Sequence, residues 1–169
     1  MMREEDLKIT ELDGVFSVQV AGRANFDYAV PLRAMAEKLT DSTQLQIDLA
    51  DCEAMDSTFM GVLTMLALKL RKRGDRVMLI GASETLLKLL RDLGVAKLFN
   101  CVSESSATGG TRVETAGTPG DMLATAETVA EAHRALVGAN ADNAAKFEQV
   151  IAFADQDVER LKKSGRETD

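Results

Sequence analysis

From Val15 to Ala21 the chain reads VFSVQVA, with Phe16, Val18 and Val20 on one side and Ser17 and Gln19 on the other. A period of two is that of a half-buried strand. Leu7 to Leu12 alternates more weakly, and Asp13-Gly14 between the runs is a two-residue hairpin turn signal. Together they predict an antiparallel β-hairpin. Gly22-Arg23-Ala24-Asn25 breaks the alternation. The spacing of Leu32, Met35, Ala36 and Leu39 is then that of a helix face, with Asp27 or a neighbour as cap and Pro31 in the first turn. Leu45, Ile47 and Leu49 in LQIDLADC return to the strand period. A helix from about Thr58 to Arg73 follows, and RVMLIGA, bounded by Gly74-Asp75 and Gly81, predicts a buried strand. Ser83 caps ETLLKLLRDLG, whose stripe is Leu86, Leu87, Leu90 and Leu93 and whose stop is Gly94. KLFNCVS predicts a last short strand.

The order through residue 102 is β-β-α-β-α-β-α-β. Strands alternating with helices predict an α/β fold, a mixed β-sheet covered by helices, over residues 1–102. The composition then changes. SESSATGGTRVETAGTPG is rich in Ser, Thr and Gly and has no period, which predicts a flexible linker over residues 103–119. Residues 120–165 predict a helical hairpin. Met122, Ala126, Val129, His133 and Leu136 form one stripe, and Phe147, Val150, Ile151, Ala154, Val158 and Leu161 another, on either side of Gly138-Ala139-Asn140. Short isolated helices are marginal in water. The pair must therefore pack on the first domain, on a second copy (a homodimer through the C-terminal helices) or on a separate protein.

Composition narrows the classes of function. The chain has 169 residues, 46% of them hydrophobic, no Trp and a net charge of −7. Its core must be aliphatic. Net negative charge argues against a nucleic-acid partner, because neutralising phosphates needs a Lys/Arg surface. Cys52 and Cys101 lie far apart without CxxC spacing, as free thiols of a reducing compartment do. The N-terminal MMREEDLKIT has no apolar leader, and no apolar run approaches the ~18 residues of a spanning helix. A cytoplasmic protein with no membrane insertion is expected.

The candidate chemistry sits at Asp56-Ser57-Thr58, directly before the longest apolar helix. All three residue types favour the N-cap, where a side-chain oxygen accepts an orphan backbone N–H. Three in a row exceed what one cap needs. The helix behind them, with Phe59, Met60, Val62, Leu63, Met65, Leu66, Leu68 and Leu70, is apolar on far more than one face. Its first turns either lie between two layers or leave apolar surface for a partner. A serine at such an edge is suited to be a switch, since phosphorylation adds roughly −1.5 to −2 charges. A helix N-terminus tolerates that charge, whereas a partner that has desolvated the spot does not.

The run IDLADCEAMDSTFMGVL, the strand RVMLIGAS and the helix LLKLLRDLGVAKLF resemble a STAS domain of the anti-sigma factor antagonist type, over roughly residues 7–102. The resemblance implies a partner-switching regulator. It binds an anti-sigma factor/serine kinase when Ser57 is unphosphorylated, releases it on phosphorylation, and is reset by a PP2C-type phosphatase. Ser57 is the implied acceptor and Thr58 the runner-up. Asn25, Asp56, Thr58, Met60 and Gly61 form the implied partner-binding edge. The alternative within the same family is a non-phosphorylated scaffold or adaptor subunit in a transport or signalling complex. The sequence departs from the family in two places. Asn25 stands where an aspartate is common, and Phe59-Met60-Gly61 replaces a Gly-Leu-Gly, so that the larger Phe59 is expected to alter the docking surface.

An enzyme is not expected, and neither is a cofactor or a catalytic residue. There is no GxSxG, P-loop or GxGxxG after a strand. The only histidine, His133, falls in the tail stripe and reads as an interface residue rather than a general base. Asp48, Asp51, Glu53 and Asp56 cluster in sequence, but the hairpin start lacks the acidic pair a phospho-acceptor aspartate site needs, and no metal site is assigned. Cys52 reads as a small buried hydrophobe.

Overall fold

A computed structural model of the chain describes residues 6–40, 43–103, 111–113 and 121–167. Strands β1 (Asp6–Leu12) and β2 (Val15–Ala24) pair antiparallel. Asp13 and Gly14 between them both take positive φ, 50° and 82°, which is the type I′ geometry that matches strand twist. Parallel neighbours follow: β3 (Gln44–Met55) on β2, β4 (Val77–Ile80) on β3, and β5 (Phe99–Val102) on β4. The predicted mixed sheet is present. Within the Ser/Thr/Gly-rich segment, Thr111–Arg112 form a short strand, β6, antiparallel to β1, so the sheet order is β5-β4-β3-β2-β1-β6. The other residues of the segment expected as a linker, 104–110 and 114–119, lie outside the described ones.

Helices α1 (Phe26–Met35), α2 (Ser57–Arg71) and α3 (Glu84–Asp92) connect the parallel strands. Asn25 rather than Asp27 caps α1, its side chain accepting from the Asp27 N–H. The helix therefore starts two residues earlier than a cap at Asp27 would place it. Pro31 is its sixth residue and not in its first turn, where it cannot donate to the carbonyl one turn back. Ser83 caps α3 as expected, and Gly94 leaves it with φ 71°.

Phe16, Val18 and Val20 of β2 and Leu45, Ile47 and Leu49 of β3 are buried, and they form one core with Phe59, Leu63, Leu66 and Leu70 of α2. Phe59 is fully buried. The expectation that it reshapes the docking surface is corrected: its ring belongs to the core.

The C-terminal hairpin, α4 (Met122–Ala139) and α5 (Ala144–Glu167), folds back on the same domain. Helix α4 packs on α1 and α2, and α5 packs on α4. Ala132 and Leu136 of α4 are wholly buried and belong to the common core. The turn between the helices is tied down as well. Asn143, fully buried, donates through Nδ2 to the carbonyls of Leu93 and Leu136, both at 2.9 Å. The C-terminal end of α3 thereby receives a donor from the hairpin.

Candidate functional site

Parallel strands β2 and β3 end side by side, with Ala24 opposite Met55, and each runs straight into a capping residue. Asp56 N–H donates to the Ala24 carbonyl at 3.0 Å, which locks the two ends together. Asn25 and Asp56, the N-caps of α1 and α2, thus sit in the crevice at the carboxyl ends of parallel strands, where open α/β sheets place their sites.

Asp56 takes extended backbone angles, and its Oδ1 accepts the Phe59 N–H at 2.8 Å. Its carboxyl is pushed above the ordinary value. Burial is the largest cause, opposed by the N–H groups of Phe59, Phe26 and Thr58 and by the proximity of His133. The N–H of Phe26 belongs to the first turn of α1, so one carboxylate serves the N-termini of two helices.

Ser57 is the first residue of α2 and is half-buried. Its Oγ lies 2.9 Å from Nε2 of His133, which is only 2% exposed. His133 Nδ1 lies 2.7 Å from the Val129 carbonyl. A carbonyl only accepts, so Nδ1 carries a proton. In the neutral ring Nε2 then offers a lone pair, and the Ser57 hydroxyl donates to it. The edge of Phe147, with centroids 5.0 Å apart at 62°, holds the ring from the α5 side. The pair resembles a nucleophile and its base, but the surroundings do not suit catalysis. A backbone carbonyl and not a carboxylate orients the imidazole, and the Asp56 carboxylate already occupies the amides that would hold an oxyanion.

Farther along α2, Thr58 and Met60 are buried, at 7% and 6% exposure. Gly61 marks the closest approach of α2 and α4. A Cβ built there would lie 2.4 Å from the Ala132 carbonyl oxygen and 2.6 Å from its Cβ. The implied partner edge of Asp56, Thr58, Met60 and Gly61 is therefore brought together in space, with Asn25 beside it, and α4 lies across its Ser57–Gly61 stretch. Arg33 of α1 pairs with Glu131 of α4 at 2.6 Å at the rim. Sequence reasoning placed His133 in an interface stripe but did not pair it with Ser57. No local signal links positions 76 residues apart. The available hint was the excess apolar surface of α2.

The other candidates are placed as follows. Cys52 is buried, and burial pushes its thiol up. Asp51 and Glu53 are exposed, while Asp48 accepts the Ala50 N–H. Among the described residues no three His, Cys, Asp or Glu side chains converge as metal ligands, and no helix is long and apolar enough to cross a membrane. Phe26, Met122, Val150 and Phe153, all exposed, line a separate groove of about 570 Å³ where α1, α4 and α5 meet.

Residues 9–100 match the family model described as Mlab, STAS domain, and the chain belongs to the STAS family. The matched region contains Asn25 and Asp56 to Gly61 and ends before the C-terminal hairpin. Among solved structures, the anti-sigma factor antagonist SpoIIAA in its unphosphorylated form is similar, with a TM-score of 0.50 and 12% identity over 60% of this chain and 90% of that one. A Thermotoga maritima protein assigned as an anti-sigma factor antagonist gives a TM-score of 0.52 and 16% identity, over 59% of this chain and 88% of that one. At these identities the likeness is one of fold. No curated protein matches the sequence.

Proposed function

We propose that this protein is a cytoplasmic, non-enzymatic partner-switching regulator of the anti-sigma factor antagonist type. Unphosphorylated, it binds an anti-sigma factor that is also a serine kinase. Phosphorylation of Ser57 releases that partner, and a PP2C-type phosphatase restores binding, so the output is control of transcription. The observation that carries this reading is the position of Ser57. It is the first residue of α2, directly after an aspartate cap, in the crevice at the carboxyl ends of β2 and β3. The α2 N-terminus tolerates a phosphate there, and a desolvated protein contact does not. Thr58 is a weaker acceptor because it is almost fully buried. The described antagonist function of the two structural relatives agrees with this reading.

The test is capture from a native cell lysate on wild type, Ser57→Ala and Ser57→Asp baits, read by mass spectrometry. A kinase-like anti-sigma factor held by the first two and lost by the third is the expected result. Identical sets of proteins on all three baits sink the switch.

A second reading is favoured by one contact. The Ser57 hydroxyl is already engaged by a buried histidine. In an adaptor that is never phosphorylated, Ser57 is a cap-region residue that seats α4, and binding occurs elsewhere on the surface. Identical capture on all three baits is the outcome this reading predicts.

A further inference from the structure

The hairpin lies on the face that the resemblance implies as the partner-binding edge, and it is in direct contact with the candidate switch residue. We propose that α4 is an intramolecular occupant of the Ser57 face, latched by the Ser57–His133 hydrogen bond, and that a phosphate on Ser57 expels it. The inference deepens the reading of Ser57 as a phosphorylation site and rests on it.

Space at the contact is short. With 2.9 Å between Ser57 Oγ and His133 Nε2, the imidazole stands where a phosphoryl group would extend from Ser57 in its present rotamer. The ring has little freedom to yield, because it is 2% exposed, bonded to the Val129 carbonyl and pressed by Phe147. One turn farther along α2, Gly61 already meets the Ala132 backbone with no room for a methyl group. The two helices are therefore in contact at the serine and again one turn beyond it, and the added group is accommodated by moving α4 away.

Charge acts in the same direction. Phosphoryl transfer from the nucleoside triphosphate of a serine kinase forms the Oγ–P bond as the bond from the γ-phosphorus to the diphosphate breaks. The hydroxyl proton passes to a base and the nucleoside diphosphate leaves. The contact then contains roughly −1.5 to −2 charges between packed helices. The dipole of α2 favours negative charge at its N-terminus, even with the amides taken by Asp56, whereas the desolvated contact with α4 does not, so most of the cost falls on the docked α4.

Occupation in cis also defines what fits in trans. A partner that uses this face competes with α4 for Ser57, Met60 and Gly61. Gly61 offers such a partner the same close backbone approach that Ala132 uses. Partner affinity is then set by how firmly the hairpin is held as well as by direct contacts.

Hydrogen exchange read by mass spectrometry on the full chain tests the latch without any partner. The forms compared are wild type, Ser57→Ala, and protein with phosphoserine genetically incorporated at position 57. The expected result is at least tenfold faster exchange across residues 122–139 in the phosphorylated form, with β2 and β3 protected as in wild type and α4 of Ser57→Ala, which loses the latch without gaining the charge, exchanging at a rate between the two. Unchanged protection of α4 in the phosphorylated form overturns the proposal. Joint loss of protection in α4, β2 and β3 also overturns it, since the hairpin would then be inseparable from the core. An absence of phosphate on Ser57 in cells defeats the switch function but leaves this exchange result as it stands. The two failures are therefore distinguishable.

Discussion

Replacing Gly61 by alanine sets two opposed effects on one methyl group. Gly61 sits inside α2, where alanine is intrinsically better than glycine by about 0.8–1 kcal/mol. If α4 were not seated on this turn, Gly61→Ala would stabilise the protein by about that amount. In the closed structure the new Cβ lies 2.4 Å from the Ala132 carbonyl oxygen, and ordinary contact begins near 3.4 Å. The helices must therefore separate by about 1.0 Å, the difference of those two distances. The obstacle is backbone, which has no rotamer to turn aside, and overpacking of this kind costs about 1–3 kcal/mol. Against a rigid backbone obstacle the upper part of that range applies, about 2–3 kcal/mol, so the repulsion wins with a net loss of about 1–2 kcal/mol. In thermal melts that is a midpoint lowered by roughly 2–8 °C for a chain of this size. If α4 leaves instead of straining, the native state exposes more surface, and the urea m-value falls as well. Urea titration of both proteins measures both quantities. A Gly61→Ala variant as stable as wild type, or more so, with an unchanged m-value refutes the packing of α4 on α2.

Three further outcomes follow from the same geometry. Ser57→Ala leaves His133 Nε2 without its buried donor and should cost about 1–2 kcal/mol in urea titration. Arg33→Ala removes a rim ion pair and should cost only about 0.2–1 kcal/mol, an effect that shrinks in high salt. Asp56→Asn keeps a good cap but removes a carboxyl whose folded pKa lies above the unfolded one. The folded wild type binds that proton more tightly, so its stability falls as pH rises from the unfolded pKa through the raised folded one. The thermal midpoint of Asp56→Asn relative to wild type should therefore climb over that window and level off above it. A difference that is flat with pH would show that burial does not dominate at Asp56.

What was legible in the sequence followed from local chemistry. Asp13-Gly14 announced a turn that needs two positive φ angles, Ser83 and Gly94 bracketed α3, and Asp56 marked the start of α2. Where several signals competed, placement slipped. Asn25 and Asp27 are both good caps, and choosing between them moved Pro31 by two positions, from the fourth to the sixth residue of the helix. The two residues of β6 are too few to show any period. The docking of the hairpin was legible only as a surplus. Helix α2 had more apolar surface than the sheet could cover, and the tail had more than two isolated helices could leave exposed. Of the predicted α4 stripe, Ala126, His133 and Leu136 are buried, but Val129 is only half-buried and Met122 is exposed, and a second buried set, Thr128, Ala130 and Ala132, went unseen. Alanine and threonine barely register on a hydrophobic pattern, yet small residues are what let α4 approach Gly61 closely. The Ser57–His133 contact spans two elements whose mutual placement no local rule specifies.

The central claim is that Ser57 is a phosphorylation switch, and the most direct measurement is the phosphate itself. The chain would be isolated from its native cells under several growth conditions, digested, and its Ser57 peptide quantified by mass spectrometry with site-determining fragments. The account predicts phosphate on Ser57, with little on Thr58, at an occupancy that changes between conditions. A Ser57 peptide unmodified under every condition contradicts it and leaves Asp56-Ser57 as the cap and seat of α4.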